Sequence, residues 1–149
     1  MENKWPKWTK SRDKLSSVSS EFLEVVKNLD PNDSEQPGVC GHWSPKDVVS
    51  HIIGWERETV KQFDLFLKGT PTNIKYDIDS FNQNSVESRK HLSWNDVIEE
   101  LTSAQRELRQ INDTIVEENI MTEKRFLLWA NTLIRHYRHH MSQLKVLTK

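Results

Sequence analysis

Three histidines are the residues of this sequence with the most specific capacity for chemistry. His136 and His140 stand four residues apart in a segment with helical periodicity, and this spacing places two side chains on one helix face. A catalytic divalent ion usually takes three protein donors and keeps a further position open. His51 lies on the apolar stripe of an earlier predicted helix, and it is the candidate for the third donor.

Such a histidine cluster predicts a particular kind of chemistry. Three neutral imidazoles and one or more waters would give a metal centre that lowers the pKa of a bound water or thiol and polarises a substrate oxygen. Imidazole ligands suit nickel or zinc. The alternative is that each histidine is a hydrogen-bonded core residue without metal, since spacing alone does not make the second and fourth helices neighbours.

Other polar residues have two interpretations each. Glu58 lies seven residues after His51 and therefore on the same side of the helix, where it is either a fourth ligand or general base, or a carboxylate at the rim of the site. His139 is rotated off the apolar stripe, and His42 and His91 lie in predicted loops. His42 and His91 are therefore expected at the surface, and His139 is expected either at the surface or in contact with one of the ligands.

Three more residues of the predicted helices leave alternatives open. Trp55 and Trp129 lie on apolar stripes, so they are either core residues or the walls of a pocket for an apolar substrate. Gly54 destabilises a helix by about 1 kcal/mol relative to alanine, which indicates either a close approach to the backbone or a tolerated accident. Ser44 and Cys40 have no base beside them in the sequence, and there is no glycine-rich phosphate loop, so neither nucleophilic catalysis nor nucleotide binding is predicted.

Composition narrows the class of protein. The 149 residues predict one domain, 1–149, and the 21 basic side chains nearly cancel the 22 acidic ones. Without a strong net charge, binding to nucleic acid or to anionic lipid is not expected. The one cysteine, the lack of a long apolar run and an N-terminus unlike a signal peptide predict a cytoplasmic protein without a membrane span.

Four segments carry apolar residues at steps of three, four and seven, which predicts amphipathic helices. A long connection, with one or two helical turns at residues 81–89, separates the second helix from the third. This pattern predicts an all-α four-helix bundle with one long crossover. The first predicted helix covers about residues 7–29 and the second residues 44–68, beginning at a Ser-Pro-Lys-Asp cap. The third begins at a Ser-Trp-Asn-Asp cap at residue 93 and carries its apolar stripe to Ile115, with a weaker signal at Asn112-Asp113. A final segment begins at residue 122 or 123.

Two motifs carry a resemblance to a known family. Residues 41–56 (GHWSPKDVVSHIIGWE) resemble the second-helix signature of the DinB-like superfamily, and within it most closely the ClbS/DfsB branch. Residues 136–144 (HYRHHMSQL) are similar to the superfamily's fourth-helix motif, His-x-x-His-His followed by two residues and Gln. The middle segment, with Phe-Asn at 81–82 and Leu-Ser-Trp at 92–94, is also similar to that branch.

The resemblance implies a DinB-type bundle with helices running up, down, down and up. It also implies that His51, His136 and His140 bind a divalent metal, which are the histidines selected by periodicity. The superfamily includes thiol-dependent isomerases and transferases, and the ClbS/DfsB branch is associated with protection against reactive small molecules, including hydrolytic opening of a strained ring. The resemblance thus predicts a metal-dependent hydrolase or thiol transferase acting on a small reactive molecule, with a low-molecular-weight thiol as an alternative co-substrate to water.

The sequence is also compatible with two other functions. The chain could be a non-catalytic bundle that sequesters a small molecule without metal, or a structural homodimer whose histidines are inert. The apolar faces of long helices are compatible with a dimer but do not specify one.

Overall fold

The computed structural model describes residues 7–70 and 72–148, and they form six α-helices. Within these ranges there is no strand, only an isolated bridge between Cys40 and Trp43, so the predicted all-α class is confirmed. No helix among the described residues combines the length and apolar character needed to cross a bilayer. The helices are α1 (Lys7–Lys27), α2 (Pro45–Leu67), α3 (Ile78–Glu87), α4 (Trp94–Asn112), α5 (Glu117–Thr122) and α6 (Arg125–Leu144).

Contacts of Trp8 fix the directions of the four long helices. Its ring, at the start of α1, lies 6.1 Å from that of Phe63 near the end of α2. It lies 6.3 Å from the ring of Phe126 at the start of α6, and its indole N–H donates to the carbonyl of Asn112 at the end of α4. Helices α1 and α6 therefore run one way and α2 and α4 the other, which confirms the up-down-down-up order.

Two capping boxes set where α2 and α4 begin. The Ser44 hydroxyl accepts from the backbone N–H of Asp47 at 3.2 Å, and the Asp47 carboxylate accepts from the backbone N–H of Ser44 at 3.1 Å. Ser93 and Asp96 form the same reciprocal pair at the start of α4. Because each box satisfies two backbone donors that would otherwise be unpaired, it fixes the first turn and hence which residues of the helix face inward.

The bundle consists of two helix pairs. Helix α1 packs most extensively on α6 and α2 on α4, while α2 also touches α6 across the bundle. Every residue from Pro45 to Gly54 of α2 is buried, so this first half of α2 lies at the centre of the fold. The largest fully buried side chains of the core are Trp8, Leu15, Phe22, Ile52, Ile53, Phe63, Leu101, Phe126, Tyr137 and Leu144.

The connections differ from the prediction in two places. The helical turns predicted at residues 81–89 are the ten-residue helix α3, which packs on α2. The fourth long helix was predicted from residue 122 or 123 but starts at Arg125, because the six-residue helix α5 precedes it. A helix this short spans less than two turns and carries no periodic signal.

Gly54 lies where α3 crosses α2. A Cβ atom at this position would lie 2.1 Å from the Ser85 hydroxyl oxygen and 2.8 Å from its Cβ. Of the two interpretations of this glycine, the close approach is therefore the correct one. The glycine lets α3 lie against α2, and α3 carries Phe81 and Asn82, which contact Trp55.

We expect Gly54→Ala to destabilise the protein by about 1–3 kcal/mol, because the overlap with Ser85 outweighs the gain of about 1 kcal/mol in helix propensity. Urea unfolding measures the change. The double variant Gly54→Ala/Ser85→Gly removes both overlapping atoms and should recover most of the loss. If Gly54→Ala alone is as stable as the wild type, α3 is free to shift and the close packing has no energetic role.

Candidate metal centre

The three predicted histidines converge on one point. Nε2 of His51 lies 2.7 Å from Nε2 of His136, and Nε2 of His140 lies 3.1 Å from the same atom. The donor atoms of all three lie within 4.8 Å of one another. Helices α2 and α6 are thus neighbours, which spacing alone left undecided.

The donor set fits a metal ion. Ligands about 2.0–2.1 Å from a common ion lie about 2.9–3.4 Å apart, depending on coordination geometry, and the observed separations of 2.7 and 3.1 Å are close to this. Nδ1 of His140 lies 2.7 Å from Oε1 of Gln143, an oxygen that can only accept. Nδ1 therefore carries the proton, and the lone pair of Nε2 faces the cluster. Histidines that bind metals commonly donate their other N–H in this way.

Burial keeps the three imidazoles neutral. It lowers the pKa of His51 to about 4, with a further lowering from the charge of His140. It lowers the pKa of His136 to about 3, to which repulsion from His51, His140 and His139 adds, and it also lowers the pKa of His140. At pH 7 all three therefore have the neutral form that binds metals.

The ring of His51 is packed against a tryptophan. The indole of Trp43 packs on the ring of His51, with 4.7 Å between centroids. Trp43 lies at the end of a tight turn in which its backbone N–H donates to the carbonyl of Cys40 at 2.9 Å. Gly41 enters this turn with a φ of +58°, a conformation that favours glycine. The turn before α2 thus places a tryptophan over a candidate ligand.

The other sequence candidates are not among the three converging donors, although the ring of His139 lies 4.9 Å from that of His140. His42, His91 and His139 are exposed, as expected. Glu58 does not belong to the group of three donors. It is half-buried and accepts from the hydroxyl of Tyr76 and from Nε2 of Gln62, so it holds two neighbouring side chains.

The histidine cluster opens into a cleft of about 700 Å³. Trp55 and Trp129 both line it, are only half-buried, and lie 6.2 Å apart between ring centroids. The pocket-wall interpretation is therefore correct for both. The other residues that line the cleft are Cys40, Trp43, Thr59, Tyr76, Ile78, Asn82, Leu128, Thr132, Leu133, Arg135 and His139.

Sequence reasoning missed several residues of this cleft. Trp43 belongs to the quoted second-helix motif, and a tryptophan placed just before a helix cap was the signal for it. Tyr76 lies in a loop, where helical periodicity gives no information. Asn82, on α3, accepts from the indole N–H of Trp55 at 2.8 Å and so orients one wall, but only the packing of α3 on α2 reveals it.

A buried carboxyl group was missed as well. Glu56 is completely buried, and burial raises its pKa to about 8, although the hydrogen bond from the Tyr137 hydroxyl lowers it. Oε1 of Glu56 has no hydrogen-bond partner among the described residues, and neither has Oε1 of nearby Gln105. A protonated Glu56 could donate its hydrogen to an unpartnered oxygen such as Oε1 of Gln105, whereas an ionised Glu56 could not. The buried surroundings therefore favour the neutral carboxyl group.

Residues 14–144 match the family description of the DinB superfamily. The chain belongs to the DinB superfamily. The match covers both motifs that carry the histidine cluster, and no protein with a curated function matches the sequence.

Solved structures agree with this assignment. The chain is similar to the colibactin self-resistance protein ClbS, whose crystal structure is a complex with a double-stranded DNA, with a TM-score of 0.76 and 14% identity over 95% of each chain. It is similar to the sibling lethal factor precursor DfsB, with a TM-score of 0.79 and 12% identity over 96% of this chain and 95% of the other.

An uncharacterised protein from Escherichia coli UTI89 gives a TM-score of 0.72 and 17% identity, over 94% of this chain and 90% of the other. At these identities the likeness shows a shared fold. The predicted resemblance to the DinB-like superfamily and to ClbS and DfsB is confirmed.

Proposed function

We propose that this DinB superfamily protein is a metal-dependent enzyme that acts on a small reactive molecule, as a hydrolase or a thiol-dependent transferase. The observation that carries the proposal is the convergence of three neutral imidazoles in the lining of an open cleft. His51, His136 and His140 would hold a divalent ion, nickel or zinc by ligand type. When bound, the ion would supply Lewis acidity and lower the pKa of a coordinated water or thiol.

The protein's own residues have distinct parts in this proposal. Gln143 fixes the tautomer of His140, and the indole of Trp43 holds the ring of His51. The walls formed by Trp55 and Trp129 bind and orient an apolar part of the substrate and exclude water from it. The lining includes no Asp or Glu among the described residues, so a carboxylate general base is not part of the proposal.

That lack of a carboxylate base favours one alternative, a bundle that sequesters a small molecule without turning it over. Such a protein would need only the cleft and its aromatic walls. It differs from the enzyme in that removal of metal would leave ligand binding unchanged.

Metal analysis of protein purified without a histidine tag tests the proposal. We expect about one ion per chain after incubation with zinc or nickel, since three imidazoles converge on one point. Removing the ion with a chelator should abolish turnover of a strained-ring electrophile, with or without added thiol, while the helical circular dichroism stays the same. Absence of stoichiometric metal, with no gain on adding nickel, zinc or manganese, would sink the metal proposal.

The DNA present in the ClbS structure does not enter this proposal. The 21 basic and 22 acidic residues of this chain nearly cancel, and phosphate contacts by Lys and Arg dominate affinity for DNA. We therefore expect no stable complex with DNA. A gel-shift experiment with duplex DNA at low salt checks this, and a stable complex would contradict it.

A further inference from the structure

We propose that the substrate is an amphipathic aromatic anion, with its charged head group at the histidine end of the cleft and its flat body against Trp55 and Trp129. This inference rests on the proposed function in taking the same cleft as the substrate site. It does not require the metal, so the metal proposal can fail while the substrate inference holds, and the reverse.

The cleft is polar at one end and apolar at the other. Along α6 it is lined by Leu128 and Trp129 near the helix start, and by His136 and His140 further on. A rise of 1.5 Å per residue puts Trp129 and His136 about 10 Å apart along the helix axis. A ligand that reaches both ends must therefore be longer than a simple organic acid, and two fused aromatic rings with a head group have about this length.

The apolar end is built from flat faces. The ring of Tyr76 lies 5.3 Å from that of Trp55 and 5.9 Å from that of Trp129, so three aromatic side chains meet at this end. Ile78 and Leu128 also line it and remain 51% and 60% exposed, which leaves apolar surface at the mouth. Aromatic rings favour offset or edge-to-face contact with other rings, so an aromatic body suits these walls better than a flexible chain does.

The polar end attracts negative charge. Arg135 precedes His136 in the chain, is exposed and lines the cleft. Within the described residues its guanidinium forms no ion pair, only a 3.3 Å hydrogen bond to the hydroxyl of Thr132, one turn nearer the helix start. No acidic side chain in the described lining offsets this charge. A guanidinium presents paired N–H groups that match the two oxygens of a carboxylate. Arg135 therefore selects a ligand with an anionic head.

Calorimetric titration of the tag-free, metal-free protein tests the inference with five probes. We expect 2-naphthoate to bind at least about 10-fold more tightly than its neutral analogue 2-naphthalenemethanol, because only the acid can form a charge-assisted hydrogen bond with Arg135. Acetate has the head alone and octanoate has an acyl body, and both should bind more weakly than 2-naphthoate. 2-Naphthyl phosphate tests whether the site prefers a carboxylate or binds any anionic head group. Tighter binding of the phosphate than of 2-naphthoate would overturn the preference for a carboxylate and would support an anionic head group.

Two arginines of α6 supply a matched pair of variants. Arg135→Gln should weaken 2-naphthoate about 10-fold and leave 2-naphthalenemethanol unchanged. Arg138 is also exposed but does not line the cleft, so Arg138→Gln should leave both affinities unchanged. Equal binding of the acid and the alcohol, or equal losses in the two variants, would overturn the anion selectivity. Tighter binding of octanoate than of 2-naphthoate would overturn the aromatic body.

Discussion

His136→Ala should abolish stoichiometric metal binding, with a loss in affinity of more than about 100-fold. Nε2 of His136 lies 2.7 Å from that of His51 and 3.1 Å from that of His140, so it is the middle donor of the three. Loss of a partner that only orients a ligand typically reduces metal affinity 10–100-fold, and loss of the ligand itself should exceed this. Competition with a chromophoric zinc chelator at pH 7.5 measures the affinity.

His139→Ala is the matched control, because His139 is exposed on the same helix and is not one of the converging donors. It should bind zinc like the wild type. Gln143→Leu removes the acceptor that fixes the tautomer of His140 and should give an intermediate loss of about 10–100-fold. If His136→Ala keeps the wild-type affinity, or if His139→Ala loses as much, the ion binds elsewhere and the proposed centre is wrong.

Glu56→Gln should stabilise the protein at pH 8–9, by an amount on the order of 3–5 kcal/mol. Burial raises the pKa of Glu56 from 4.5 to about 8 in the folded state. Below pH 4.5 the carboxyl is protonated in both states. Between pH 4.5 and 8 the unfolded chain releases this proton while the folded chain keeps it, so the free energy of unfolding falls as pH rises. Glutamine is always neutral and nearly isosteric, so it avoids this loss.

Urea unfolding of the wild type and of Glu56→Gln at several pH values between 5 and 9 measures the effect. The histidines change stability in the opposite sense, because their lowered pKa values destabilise the folded state as pH falls below 6.5. Their contribution cancels in the difference between variant and wild type. Glu99→Gln, at an exposed position of α4, should show no such trend. A constant difference between Glu56→Gln and the wild type across this range would show that Glu56 is ionised in the folded protein.

Much of the candidate metal centre could be predicted from the sequence, because its three histidines lie on regular helices. His136 and His140 are related by a local spacing, and His51 lies on the same apolar stripe as Val48, Ile52 and other core residues. The helical periodicity of the apolar residues therefore predicts that each of the three histidines faces the interior of the bundle. That α2 lies beside α6 is a property of the whole bundle, and no local pattern in either helix contains it.

The cleft could be predicted only in part, for physical reasons. The sequence identifies Trp55 and Trp129 as either core residues or pocket walls. Which of the two applies depends on whether another helix covers them, and α3 leaves both half-buried. Glu56 is one residue beyond Trp55 and reads as a solvated charge in the sequence. Its burial follows from the position of α2 at the centre of the bundle, where most sides of the helix meet other helices.

The two helix pairs give the histidine cluster a mechanical consequence. His51 belongs to the pair formed by α2 and α4. His136, 85 residues further along the chain, and His140 belong to the pair formed by α1 and α6. A sliding of one pair past the other by even one ångström would separate the donor atoms while leaving each pair internally intact. The distances between the three imidazoles therefore depend on the relative position of the two helix pairs. A ligand that binds all three imidazoles at once would fix that position.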